Sequence, residues 1–229
     1  MLEITNIKLC VGVPLSFPFV HAPFFDSFVM AMVTAVGEGM TIEFVRQGNG
    51  PLEALRNNIV ETALKTNCTH IIQCDADMQY PEETFPRLLS LCNERRPIVG
   101  ALCFRRYPPF TPILMKGELG YYEQIWDWKK DELLEVDATG TGCLMVHASV
   151  FRKMPRPWFE FGEFEGKTVG EDIGFCAKAR KLGFPIYIDT SLQVSHLTTL
   201  SVSEGTYHLY KGLKKLREMQ GEDTELDEV

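Results

Sequence analysis

The sequence predicts an α/β fold with a mixed, mostly parallel central sheet, helices on both faces and a smaller antiparallel part. Three observations lead there. From residue 7 to residue 104, short apolar runs of strand type alternate with segments of helical period through brief links. That alternation is the signature of parallel strands joined by helical crossovers. After Phe104 the pattern changes, and strand-like pieces follow one another. The 229 residues are 45% hydrophobic and 24% charged, which suits one soluble domain, or one domain with a small appendage.

The first strand covers 7–14 and ends at Pro14. A helix follows over about 24–36, with Phe25, Phe28, Val29 and Met32 spaced for one apolar face, and Gly37 and Gly39 stop it. Residues 41–46 alternate as a second strand. The turn Gly48-Asn49-Gly50-Pro51 places a proline in the first turn of a helix that runs to about Lys65. Leu52, Leu55, Ile59 and Ala63 mark its buried side. A third strand, Thr69-His70-Ile71-Ile72-Gln73-Cys74, leads into Asp75-Ala76-Asp77-Met78. Pro81-Glu82-Glu83 opens the next helix, with acids where the helix dipole favours them and Phe85, Leu88, Leu89 and Cys92 as its core stripe. A fourth strand covers 97–103.

Arg105-Arg106-Tyr107-Pro108-Pro109 is a basic, aromatic, proline-rich loop. Strand-like pieces follow near 112–116, 119–126 and 133–136. Gly140-Thr141-Gly142 leads into an apolar strand over 143–146, and 150–154 is a short helix at most. Residues 158–166 read as an aromatic and acidic loop. Thr168-Val169-Gly170-Glu171-Asp172 opens a helix that ends near Gly183, and Thr168 with Glu171 has capping-box spacing. Short strands at 186–188 and 193–196 precede a last helix over 204–219. Residues 221–229 are acidic and expected to be disordered. The domain expected is thus 1–220 without an internal boundary, with 1–104 and 105–200 as its two halves.

The chemistry centres on the end of the third strand. Residues two apart on an extended strand point the same way, so Asp75 and Asp77 can converge just past the apolar run. Two hard oxygen donors there suit Mg²⁺ or Mn²⁺. Ligands of such sheets lie outside the carboxyl ends of the strands, where Pro14, Gln47 and Asp75 all fall. The plainer alternative is a pair of acids solvating a turn.

The net charge of −8 argues against broad nucleic-acid binding. Seven scattered cysteines without a C-x-x-C pair read as buried free thiols in a reducing compartment rather than a zinc or disulfide framework. No run approaches a membrane span and no signal peptide is visible, so a cytoplasmic protein without stable membrane insertion is expected.

Five features together resemble a known family. They are the first strand ending in Val13-Pro14, then Ala54-Leu55-Arg56-Asn57, then the D-x-D of Asp75-Ala76-Asp77. Next come Thr139-Gly140-Thr141-Gly142 before the apolar strand, and Gly170-Glu171-Asp172-Ile173-Gly174-Phe175 followed by Ala179 to Ile186. In this order, over roughly residues 7–200, the sequence resembles a GT-A fold glycosyltransferase, nearest to the large family 2 group. The resemblance implies a nucleotide-diphosphate sugar as co-substrate and Mn²⁺ or Mg²⁺ as cofactor. It implies Asp75, Asp77 and His196 at the metal, and Pro14, Gln47, Arg56, Asp75 and Gly142 around the donor. Asp172 is implied as the base of an inverting transfer. Arg105 and Arg106 are candidates for diphosphate or acceptor binding, and Trp158, Phe159 and Phe161 for stacking on a sugar or base. Many family members carry an acid at the end of the second strand that reads the base. Here Arg46-Gln47-Gly48-Asn49 stands instead, so the nucleotide is open. The acceptor is open too, among a glycan, a protein, a small metabolite and a modified nucleic acid. Two other readings compete: a sugar-nucleotide nucleotidyltransferase, and a non-catalytic nucleotide-sugar binding module.

Overall fold

The computed structural model describes residues 7–220. They fall into two compact units that part between Leu197 and Thr198, where the sequence shows no boundary. The expected acidic tail, 221–229, lies outside the described residues.

The first unit opens with β1 (Lys8–Pro14), α1 (Ala22–Gly37), β2 (Thr41–Gln47), α2 (Leu52–Lys65), β3 (His70–Cys74), β4 (Met78–Gln79), α3 (Thr84–Leu91) and β5 (Ile98–Cys103). It continues with β6 (Met115–Lys116), β7 (Glu123–Gln124), β8 (Leu133–Val136), β9 (Cys143–His147) and α4 (Ala148–Lys153). β10 (Gly162–Phe164), β11 (Lys167–Val169), α5 (Glu171–Lys181) and β12 (Ile186–His196) complete it. The second unit holds α6 (Glu204–Gln220), whose start is capped reciprocally by Ser203 and Thr206. Among the described residues no helix is long and apolar enough to cross a membrane.

Eight strands form the main sheet in the order β2-β1-β3-β9-β5-β12-β4, with β8 also on β12. β1 pairs in parallel with β2 and β3, and β5 with β12, while β9 runs against both β3 and β5. The carboxyl ends of β1, β2, β3, β5 and β12 therefore share one edge, which carries Pro14, Gln47, Asp75, Phe104 and His196. The smaller β6-β7 and β10-β11 pairs are antiparallel.

Alternation along the strands splits the core between the two faces. Leu9, Val11 and Val13 of β1 join Phe24, Phe28, Phe85 and Leu88 from α1 and α3. Cys10 faces the other way, toward Ile59, Val60, Phe151 and Phe175 from α2, α4 and α5. Gly12 lets α2 approach, since a β-carbon there would run into Ile59 Cγ2. All seven cysteines are buried and free.

Several local expectations change. α1 buries Phe24, Phe28, Ala31 and Ala35, whereas Phe25 and Val29 are exposed. The helix is apolar around most of its circumference, so spacing alone does not choose the face. Contacts do: Phe28 meets Tyr80 and Phe85 edge-on at 6.0 Å. The 158–166 stretch contains β10, and Thr168 pairs with Glu163 in the β10-β11 hairpin instead of capping α5, whose N-cap is Gly170. Residues 186–196 form one strand with a register shift between Asp189 and Gln193. Trp158 and Phe159 are core residues. The Trp158 indole N–H donates to the carbonyls of Phe151 and Met154, and Phe159 stacks on Phe175 at 4.8 Å. Phe161 is exposed.

Candidate active site

Strand register brings Asp77 and His196 together. β4 begins one residue after Asp77 and pairs antiparallel with the end of β12, Met78 opposite His196. The Leu197 amide closes the corner by donating to the Asp77 carbonyl at 2.7 Å. His196 Nε2 then lies 3.2 Å from Asp77 Oδ2. Its Nδ1 sits 3.0 Å from the Phe104 carbonyl, which accepts a proton only from Nδ1–H and so leaves Nε2 for the carboxylate side. Arg106 Nη1 donates to the same Asp77 oxygen at 2.8 Å. Burial works to raise the pKa of Asp77, but the bond to His196 and the charge of Arg106 outweigh it and hold it below the usual value. Burial likewise opposes charge on His196, and Asp77 overcomes this and raises its pKa.

Asp75 looks elsewhere. Its two oxygens accept from Arg56 Nη2 at 2.8 and 3.1 Å, and Arg56 Nε donates to Glu171 Oε1 at 3.1 Å. Arg56 is 2% exposed. Burial opposes its charge, but Asp75 and Glu171 together raise its pKa. The guanidinium expected at the donor phosphates is thus a buried bridge between the end of β3 and the first turn of α5. For the same reason the structure does not gather the three expected metal residues: Asp77 and His196 converge, while Asp75 is engaged by Arg56. Gly142 sits against Asp75, where a β-carbon would stand 3.4 Å from Asp75 Oδ2.

Tyr80 carries a role that sequence reading missed. Its buried hydroxyl lies 2.8 Å from the carbonyls of both Asp75 and Gly142, with one proton to share between them. The Asp75 amide donates to that same Gly142 carbonyl at 3.0 Å. The two loops are thereby locked as a pair. A tyrosine three residues past a D-x-D is the only signal the sequence gives, and it carries no pattern by itself.

Asp172 follows Glu171 into the same space. Its Oδ1 accepts from the Ile173 amide at 2.8 Å. Oδ2 stands 3.7 Å from where a β-carbon on Gly140 would be, and Ile113 reaches that point at 3.4 Å. Burial, then the neighbouring Glu171 charge, push the pKa of Asp172 up to about 6. A carboxyl so placed exchanges a proton near neutrality, as a general base requires.

At the other end of the edge, Pro14 is buried, and Gln47, its register partner, is half-buried. The Gln47 carbonyl accepts from the Leu15 amide at 2.7 Å. Among the described residues no side-chain hydrogen bond holds the Gln47 carboxamide. A cavity of about 490 Å³ lies beside the Asp77 corner, lined by Arg105, Arg106, Tyr107, Trp126 and His196 among others, and Ile113 belongs to its wall. A larger one of about 1050 Å³ lies against the outer face of α5, with Tyr121, Phe161 and Phe164 in its wall.

The donors at the corner suit a divalent ion such as Mn²⁺, which takes carboxylate oxygen readily and accepts imidazole nitrogen. One carboxylate oxygen and one imidazole nitrogen face each other, 28% and 18% exposed, so positions stay open for water and phosphate. Among the described residues no three His, Cys, Asp or Glu side chains form a candidate metal group, so the pair does not amount to a closed structural site.

No protein-family model matches the chain, and no curated protein matches it by sequence. Solved structures do match. A197 from STIV is 17% identical, with 84% of this chain and 87% of that one aligned at a TM-score of 0.58. GalNAc-T7, solved with UDP, GalNAc and Mn²⁺, is 11% identical over 86% of this chain and 45% of its own, at 0.54. A mutant Drosophila β-1,4-galactosyltransferase 7, solved with manganese, UDP-Gal and xylobiose, is 13% identical over 88% and 79%, at 0.52. At these identities the likeness is one of fold.

Proposed function

We propose that this chain, which has the GT-A fold, is a metal-dependent glycosyltransferase that moves a sugar from a nucleoside-diphosphate donor to an acceptor hydroxyl with inversion. One observation carries the reading. Arg56 ties the start of α5 to the end of β3, so a carboxyl with a pKa near 6 shares one sheet edge with the Asp77–His196 corner. In the two transferases above, UDP and manganese accompany the same fold.

Each residue then has a task. The carboxyl ends of β1 and β2, at Pro14 and Gln47, receive the nucleoside, and the half-buried carboxamide of Gln47 is available to a base edge. Asp77 and His196 would hold the divalent ion, which would supply positive charge to the departing diphosphate. Asp172 takes the proton as the acceptor oxygen forms its bond to the anomeric carbon and the bond to the diphosphate breaks. Arg56 and Tyr80 position Asp75, Gly142 and the first turn of α5. The exposed ring of Phe161, beside α5, offers an acceptor a stacking surface.

A panel of nucleoside diphosphates and nucleotide sugars with Mn²⁺, read by thermal unfolding, tests the reading. One diphosphate family should raise the melting temperature in the wild type and not in Asp77→Ala. An equal response to triphosphates with pyrophosphate release would point to nucleotidyl transfer, and silence across the panel would remove the enzyme reading.

A further inference from the structure

Arg106 stands where a metal ion is needed. Its guanidinium lies 2.8 Å from Asp77 Oδ2, the oxygen that also faces His196 Nε2 at 3.2 Å. A divalent ion held by that oxygen and that nitrogen would sit beside a full positive charge, so the two cations exclude each other. The loop that carries Arg106 is tied at its base. The Ile113 amide donates to the Cys103 carbonyl at 2.8 Å, and the Arg105 amide to the Thr111 carbonyl at 2.9 Å. The Arg106 side chain itself is 45% exposed, with its guanidinium 5.2 Å from the Tyr107 ring centre. It therefore adjoins a cavity of about 490 Å³ with room to turn away while its backbone stays in place.

We propose that Arg106 neutralises Asp77 in the free protein, yields that carboxylate to the metal, and then binds the diphosphate of the donor. The inference rests on the glycosyltransferase reading and deepens it. The planar fork of a guanidinium matches phosphate oxygens in pairs. A side chain that has just left the metal's own ligand is within reach of whatever phosphates the metal holds. Arg105, on the same loop and cavity wall, adds a second positive charge there. Diphosphate loading and metal loading thus favour each other, because each stabilises the arrangement in which Arg106 has left Asp77.

The test is Mn²⁺ binding to the whole chain, read by electron paramagnetic resonance without nucleotide, and UDP, GDP, ADP and CDP binding at saturating Mn²⁺, read by equilibrium dialysis. Arg106→Ala should bind Mn²⁺ more tightly than wild type, on the order of tenfold, and the preferred diphosphate more weakly by a similar factor. An unchanged or weaker Mn²⁺ affinity in Arg106→Ala, or an unchanged diphosphate affinity, would overturn the proposal while leaving the enzyme reading intact if Asp77→Ala still abolishes Mn²⁺ binding. Mn²⁺ binding that survives Asp77→Ala, or is absent from both wild type and Arg106→Ala, would overturn both. Arg106 is on an exposed loop, so thermal unfolding should confirm that the variant folds normally.

Discussion

Arg56 holds both carboxylate oxygens of Asp75, at 2.8 and 3.1 Å, from a site only 2% open to solvent. Its Nε reaches Glu171, at the start of α5, at the same time. Arg56→Ala would leave two acids facing an emptied, buried space. The expected loss is about 3–5 kcal/mol of stability, because removing one partner strands the others uncompensated. Chemical denaturation of the variant checks this, and a loss below about 1 kcal/mol would contradict the bridge.

The same engagement separates the two acids of the D-x-D. Asp77→Asn should cost most of the Mn²⁺ affinity, since Asp77 Oδ2 faces the imidazole. Asp75→Asn should change Mn²⁺ affinity much less and instead lower stability through Arg56. Calorimetric titration of both variants decides it, and equal losses of metal affinity would assign Asp75 to the ion after all.

Asp172 predicts a coupled effect on rate and stability. As the base it must be deprotonated, so turnover should rise with pH through about 6. Glu171→Gln, which removes an adjacent negative charge, should move that rise to lower pH. The stability sign runs the other way. The folded pKa lies above the ordinary 3.8, so the unfolded chain releases its proton first, and stability is lost as pH climbs from about 4 to 6. Asp172→Asn should therefore stabilise the protein at pH 7, by about 1–3 kcal/mol, while abolishing turnover. A variant that keeps turnover, or one that melts earlier, would count against the assignment.

His70 governs acid stability at the opposite end of β3. Burial, then the nearby His147, lower its pKa to about 4. The unfolded histidine takes a proton near 6.5, so folding should weaken as pH falls from about 6.5 to 4. His70→Gln removes that contribution, and its midpoint in urea should depend less on pH across this window than that of the wild type.

How much of this was legible in the sequence varies with the kind of interaction. The alternation of strands and helices through short links was legible, and β8 appears at the expected residues, Leu133–Val136, whereas the insertion of β9 between β3 and β5 was not. The meeting of Asp77 with His196 was expected only through the family resemblance, because no pattern along the chain links two residues 119 apart. The face of α1 was not, because a helix apolar nearly all round carries no period that singles out Phe24 over Phe25. Thr168 and Glu171 have capping-box spacing, yet strand pairing claims one and Arg56 the other.

By itself, the sequence determined the α/β alternation, the edge formed by the carboxyl ends of the parallel strands and the residue types gathered there. Those depend on patterns a few residues long, which local propensity and burial enforce. Only the tertiary structure decided which acid meets which base: that Arg56 faces Asp75 and Glu171, and that Arg106 lies on Asp77. A charged side chain settles where the nearest opposite charge compensates its desolvation, and that partner here comes from 19, 115 or 29 residues away.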